Sequence, residues 1–310
     1  MRYCLLFILG ILSCQFSSAQ QVPQFSLWSQ NSYLVNPAVT GIKKAFDFKT
    51  GYRFQYAGID RAPQTGYLSA HSEIKNRKAG YLAPYHGVGG KVQRDVFGGF
   101  TNFSVHATYA FHIPLSKDET LSFGTAVGAQ QIGFDQTNAS TIDPDIAIAT
   151  NVSEFLFPNI SFGAWYATSF FYVGANLDQL TRSKWTEIGY DGRFLLHGTL
   201  TGGIKYTNDK DITFLPKVML RLGPNAPFNI EAQALFDFQN KFLLGLGYRN
   251  TDALIGIFKV NIQDNLKIAY SYDFNLSELR GGNFGGHELM IGFTAGKNKF
   301  VAQDDVPVFE

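Results

Sequence analysis

The sequence predicts an all-β fold, a 14-stranded antiparallel transmembrane β-barrel of the outer membrane, and three observations carry that expectation. Apolar and polar residues alternate with period two along most of the chain, while a 3.6-residue period is almost absent. Charged residues make up only 16% of the 310 residues and aromatic residues 15%, against roughly 25% charged in ordinary soluble domains, so much of the surface suits a medium other than water. Beyond the first twenty residues no apolar run approaches the about 18 residues that a spanning helix needs, which excludes a polytopic helical protein. With 26 Lys+Arg against 25 Asp+Glu there is no basic stripe, so nucleic acid is not an expected partner. The abundant aromatics exclude disorder.

In chain order, residues 1–19 read as a signal peptide. Arg2 supplies the positive start, Cys4 to Leu12 the apolar stretch, and Ser17-Ser18-Ala19 a small-residue cleavage site before Gln20. The alternative is a lipoprotein signal at Ile11-Leu12-Ser13-Cys14 with Cys14 acylated; either one exports the chain. Cleavage before Gln20 removes Arg2 and both cysteines, leaving equal numbers of basic and acidic residues and no thiol. Disulfides, Cys-ligated zinc and cysteine nucleophiles go with them. Residues 20–44 are expected to form an N-terminal periplasmic segment, 45–296 the barrel, and 297–310 a C-terminal tail.

Candidate strands lie near 45–56, 66–74, 87–97, 102–113, 120–133, 157–167, 170–177, 193–207, 211–222, 227–238, 240–250, 252–262, 264–274 and 287–296. The alternation is clear in the fourth, where Phe103, Val105, Ala107, Tyr109 and Phe111 form one face and Ser104, His106, Thr108 and His112 the other. An open sheet of this size would carry exposed edges, and closure in lipid satisfies every backbone group. Connections also sort as outer-membrane barrels require, short on the periplasmic side and long outside. Thr168-Ser169, Gln239 and Gln263 follow even strands; Phe134 to Leu156, Asp178 to Gly192 and Asn275 to Gly286 follow odd ones. Lys75 to His86, with Lys75, Arg77 and Lys78, is a long exception on the periplasmic side. Both termini are therefore expected in the periplasm. Ala107 is expected to face lipid, and Thr108 to face the lumen and tolerate Arg better than Ala107 does.

Lumen-facing charges of both signs are expected at Asp47, Lys49, Arg53, Lys91, Asp95, Lys217, Arg221, Glu231 and Asp237. They read as a lumen filled by ion pairs, with a permeation pathway as the alternative. Signals for catalysis are poor: there is no Gly-x-Ser-x-Gly elbow, and His287-Glu288 lacks the second His of a zinc-protease helix. His106 and His112 share one lumen face and read as hydrogen-bonding residues before hydrolase residues. Asp143-Pro144-Asp145 with Asp135 reads as turn chemistry or a calcium loop. No cofactor is expected. Glycines inside strands, among them Gly87, Gly89, Gly124, Gly203 and Gly245, are expected at bends or beneath aromatics.

Specific blocks carry a resemblance. Pro23-Gln24-Phe25-Ser26 with Asn31, Asn36-Pro37-Ala38 and Gly41 opens it. Arg53-Phe54-Gln55-Tyr56-Ala57-Gly58, Ala62-Pro63-Gln64-Thr65, Leu121-Ser122-Phe123-Gly124, Tyr172-Val173-Gly174, Gly247-Tyr248-Arg249, Tyr270-Ser271-Tyr272-Asp273 and Gly286-His287-Glu288 continue it. In this order they resemble the PorP/SprF family of Bacteroidetes outer-membrane proteins of the type IX secretion system, although Tyr56 stands where Trp is usual. The resemblance implies a barrel without catalysis that assists secretion or surface anchoring of proteins with a C-terminal sorting domain, including gliding adhesins. It also implies contact with the translocon and the periplasmic ring and motor. The alternative function is a porin-like channel for small solutes. A lipid face in contact with outer-membrane lipids cannot select cargo, so the long loops are the expected platform for the cargo's C-terminal domain, the alternative being that they fold inward and cap the barrel. Phe155, Trp185 and Phe284 are the aromatic anchors of that platform, beside Arg280. Lys75, Arg77 and Lys78 are the expected periplasmic contact.

Overall fold

The computed structural model describes residues 23–74, 82–134, 154–185, 192–208, 212–224, 228–250, 252–276 and 282–296. Fourteen antiparallel strands close into one barrel. They are β1 (Phe46–Phe54), β2 (Gln64–Ile74), β3 (Tyr85–Phe97), β4 (Phe100–Pro114), β5 (Thr120–Phe134), β6 (Glu154–Ala167), β7 (Phe171–Asp178), β8 (His197–Ile204), β9 (Ile212–Leu222), β10 (Asn229–Phe238), β11 (Phe242–Arg249), β12 (Ala253–Gln263), β13 (Leu266–Asn275) and β14 (Gly286–Ala295). Each pairs with its sequence neighbours, and the seam between first and last strands runs from Phe46↔Ala295 to Phe54↔His287.

Period-two alternation becomes the two faces of the wall. Val105, Tyr109, Val127 and Phe162 stand exposed on the outside, while Ser104, His106, Thr108 and His112 are buried within. Tyr–His pairs mark both ends of the outer surface: Tyr109 Oη lies 2.7 Å from His86 Nδ1 at the short-turn end, and Tyr270 Oη 2.7 Å from His287 Nδ1 at the long-loop end. Such amphipathic rings suit a membrane–water boundary. An Arg introduced at Ala107 or Val127 is expected to cost about 2–4 kcal/mol of barrel stability near the midplane, read as a lower urea midpoint in lipid vesicles; an unchanged midpoint would invert the assignment of faces.

One expected strand divides. Residues 193–207 do not run as a unit: Gly192–Arg193 pairs with Lys184–Trp185 in a separate ribbon, and Tyr206–Thr207 continues against β9 after a break at Lys205. The cause at the first break is Phe194, which turns inward and packs edge-on against Phe157 with ring centroids 5.6 Å apart.

The larger correction concerns the N-terminal segment. Expected outside the barrel in the periplasm, its described part instead lies inside the lumen. Phe25 to Ile42 form two short 3-10 turns, Trp28–Gln30 and Pro37–Val39, around the single-turn helix Ser32–Val35, and nearly every residue of this stretch is buried. It runs from the long-loop end, where Ser26 meets Arg53 and Asp273, to the short-turn end, where Thr40 meets His112. The chain then reverses into β1. Pro23 accordingly lies at the long-loop end, opposite to the end expected for the N-terminus.

Leu27, Trp28, Leu34, Val39 and Ile42 of this plug join Met219, Leu235, Leu243, Ile255, Ile257 and Met290 of the wall in one hydrophobic core. Burial of these apolar side chains, worth about 1.5–3 kcal/mol each when complete, drives the plug into the lumen. These apolar wall residues lie on β9–β14, which also carry the buried charges Lys217, Glu231, Arg249, Asp273 and Glu288.

Candidate functional site

The plug is fastened at three levels, and the buried charges form the uppermost. Ser26 Oγ accepts from Arg53 Nη1 at 2.6 Å and Arg249 Nη2 at 2.8 Å, and donates to Asp273 Oδ2 at 2.8 Å. The backbone amides of Ser26 and Leu27 both donate to Glu288 Oε2, at 2.7 and 3.2 Å. Trp28 Nε1 donates to Glu231 Oε1 at 2.7 Å. Arg249 binds Glu231 at 2.8 Å, Asp252 at 3.0 Å and Asp273 at 3.2 Å, and Arg53 binds Asp273 at 2.7 Å. Carboxylates outnumber guanidiniums in this cluster, and the plug's N–H groups supply the donors that the surplus needs. A buried carboxylate is tolerated only when so bonded.

At the middle level, Lys91 Nζ donates to the Leu34 carbonyl at 3.0 Å and Lys217 Nζ to the Ser29 carbonyl at 2.8 Å. Tyr33 Oη lies 2.6 Å from Thr108 Oγ1. Thr108 therefore faces the lumen as expected, and Tyr33 fills the space beside it, so an Arg there would have to displace the plug. At the lower level His112 Nε2 binds the Thr40 carbonyl at 2.8 Å while its Nδ1 faces Ser122 Oγ at 2.7 Å. Gly41 N donates to His71 Nδ1 at 3.0 Å. His112 and Ser122 are fully buried, so the pair has no route to a substrate and acts as a plug anchor.

Glycines on the lumen face explain how the plug comes so close to the wall. A Cβ on Gly87 would overlap the Thr40 carbonyl, and one on Gly124 would overlap the Pro37 carbonyl and the Ala38 amide. The expected position beneath an aromatic holds for Gly203, which lies under Tyr172, but at Gly87 and Gly124 the overlying group is plug backbone.

Of the other expected lumen charges, Asp47 pairs with Lys43 at 2.6 Å and Lys49 at 3.3 Å, and Asp237 with Lys259 at 3.4 Å. Asp95 and Arg221 depart from the expected ion pairing: Asp95 accepts from Thr65 Oγ1 at 2.6 Å, and Arg221 donates to Asn229 Oδ1 at 3.3 Å. Both line a polar cavity between the plug and β3–β9, which reaches the long-loop rim at Pro23 and Gly223.

Among the expected platform residues, Phe284 is 76% exposed and lies over Gly58, with its amide donating to the Ala57 carbonyl at 2.7 Å. Phe155 is half-buried beside Phe157, with centroids 6.4 Å apart. The Trp185 backbone belongs to the ribbon with Gly192. Arg280, Lys75, Arg77 and Lys78, the signal peptide, the Asp143-Pro144-Asp145 loop and the C-terminal tail lie outside the described residues.

A sequence model of the family described as "Type IX secretion system membrane protein PorP/SprF" matches residues 17–293. No curated protein matches the chain. Among solved structures, the Ralstonia pickettii toluene transporter TbuX is 10% identical, with 86% of this chain and 93% of that one covered and a TM-score of 0.51. The P. putida toluene transporter TodX is 10% identical over 86% of this chain and 94% of that one, with a TM-score of 0.47. The translocator domain of the autotransporter NalP from Neisseria meningitidis is 10% identical over 81% and 86%, with a TM-score of 0.42. At such identity the likeness to TbuX concerns the barrel fold alone.

Proposed function

The chain belongs to the PorP/SprF family of type IX secretion system membrane proteins, and on that premise we propose that it is a closed outer-membrane adaptor that assists secretion or surface anchoring of proteins with a C-terminal sorting domain. The observation that carries this reading is the plug. A lumen occupied from Phe25 to Ile42 by buried, multiply bonded chain supports a closed barrel, with recognition at the long-loop rim. A stable complex buries about 800 Å² per partner, and the long loops are the part of the surface able to offer it. In this reading the long-loop end faces outward, and the segments Phe134 to Leu156, Asp178 to Gly192 and Asn275 to Gly286 hold the cargo's C-terminal domain, with Trp185, Arg280 and Phe284 as contacts. Phe155, half-buried on the inward side, supports the rim. The segment with Lys75, Arg77 and Lys78 faces the periplasm and meets the ring and motor components.

A pull-down from native membranes, repeated with each long loop shortened, tests the platform. Cargo recovery is expected to fall at least about tenfold when hot-spot loops are lost, the equivalent of 1.4 kcal/mol. Undiminished recovery with all three shortened sinks the platform. Loss only on trimming residues 75–84 moves recognition to the other face.

A further inference from the structure

We propose that the polar cavity at the long-loop end of the lumen is a binding site for a neutral saccharide. Three features of the wall converge there, and the first is a set of buried acceptors. Asn159 and Gln179 are 6% and 4% exposed and line the cavity. Both donate their amide nitrogens to Gln130 Oε1, at 3.1 and 2.9 Å. Their own carbonyl oxygens, and that of Asn102 in the same lining, have no partner among the described residues. A buried acceptor left unpaired is costly. Asn102 belongs to β4, Asn159 to β6, and Gln179 follows the end of β7, so a ligand that meets all three needs several donors set apart from one another.

The second feature is charge. Asp95 and Asp178 line the cavity together with Lys91 and Arg221, two carboxylates against two cations, which favours neither a metal ion nor an anion. The cations already donate, Lys91 to the Leu34 carbonyl and Arg221 to Asn229. Asp95 accepts from Thr65, and Asp178 from Asn176 Nδ2 at 2.6 Å, yet a carboxylate has about four lone-pair sites. The lining therefore suits an uncharged group rich in donors and turns an acid away.

The third is a collar of rings above the cavity. Residues two apart on a strand share a face, and on three strands the inward row passes from ring to polar group one step deeper. Phe97 gives way to Asp95 on β3, Phe100 to Asn102 on β4 and Phe157 to Asn159 on β6. The Phe97 and Phe100 rings stack with centroids 5.7 Å apart. A pyranose matches both layers: its hydroxyls donate as well as accept, and its C–H faces lie well against aromatic rings. Small-molecule sites combine apolar walls with a few convergent polar groups in this way.

Saturation-transfer difference spectra test the site, with the barrel purified from outer membranes into a zwitterionic detergent that bears no sugar. Glucose, galactose, mannose and N-acetylglucosamine are the probes. At least one is expected to show transfer to its ring protons, and its uronate to bind at least about tenfold more weakly, because it brings an unpaired charge to a desolvated wall. Asn159→Leu/Gln179→Leu is expected to weaken binding at least about tenfold, since the acceptors that select hydroxyls are gone. Either single variant serves if the double lacks the heat-dependent gel shift of a folded barrel, and Phe97→Ala, at an exposed ring, reads the collar separately.

Sugar and fatty-acid analysis after acid hydrolysis distinguishes the sources. A sugar retained with fatty acid by the parent and lost from the variants comes from a lipid glycan; binding of added sugar alone marks a free one. No neutral sugar by either route, a uronate bound as tightly, or folded variants with the parent's affinity would each overturn the proposal. Cargo plays no part in these measurements, so the adaptor reading and this one can fail separately.

Discussion

In planar bilayers the purified barrel is expected to show no steady conductance, and Gly87→Val/Gly124→Val is expected to convert it into a pore with discrete, stable steps. Both glycines sit in lumen-facing positions where an added Cβ meets plug backbone, the Thr40 carbonyl in one case and Pro37 and Ala38 in the other. Backbone cannot rotate aside as a flexible side chain does. Valine is favoured in strands, so the substitution leaves the wall intact and acts on the plug. Loss of the heat-dependent gel shift would identify failure to fold. A folded double variant that stays silent would mean that the wall's own side chains close the lumen, and a conducting parent would favour the solute channel.

Arg249→Leu is expected to cost about 3–5 kcal/mol of stability, the penalty of stranding a buried charge partner. The guanidinium is fully buried and binds Glu231, Asp252 and Asp273 together with Ser26. Its loss leaves surplus carboxylate in a largely buried site. Arg61→Leu is the comparison, because its pair with Asp60 is long, at 3.9 Å, and exposed; it should change stability by less than about 1 kcal/mol. Urea unfolding in lipid vesicles reads both. Similar losses at the two sites would remove the charge cluster from any special role in holding the plug.

The barrel was legible because each strand divides its residues between lipid and lumen, and that division writes period two into the sequence. β4 and β10 show this plainly: Val105 and Ile230 are outside, His106 and Glu231 inside. The plug was not legible as a plug, because its turns are too short to impose a period. Two signals pointed to it nonetheless. A solvated segment has no use for Phe25, Leu27, Trp28, Tyr33, Leu34 and Ile42 within so short a stretch, and glycines on the lumen face at Gly87 and Gly124 had no aromatic to accommodate. The lumen charges were legible individually, yet their partners were not, since Arg53 and Arg249 converge on Ser26 only once the sheet has closed.

The bond from Ser26 N to Glu288 spans 262 positions of the sequence, joining the chain's first described turn to its last strand. Contacts of such separation carry a large loop-closure entropy and form late. Glu288 and Asp273 belong to β14 and β13, so the two carboxylates that hold Ser26 arrive only with the strands that complete the seam against β1. Closure of the wall and filling of its interior are for this reason coupled: a wall still missing its last strands lacks the uppermost anchor of the plug, and a closed ring without the plug holds unsatisfied charge.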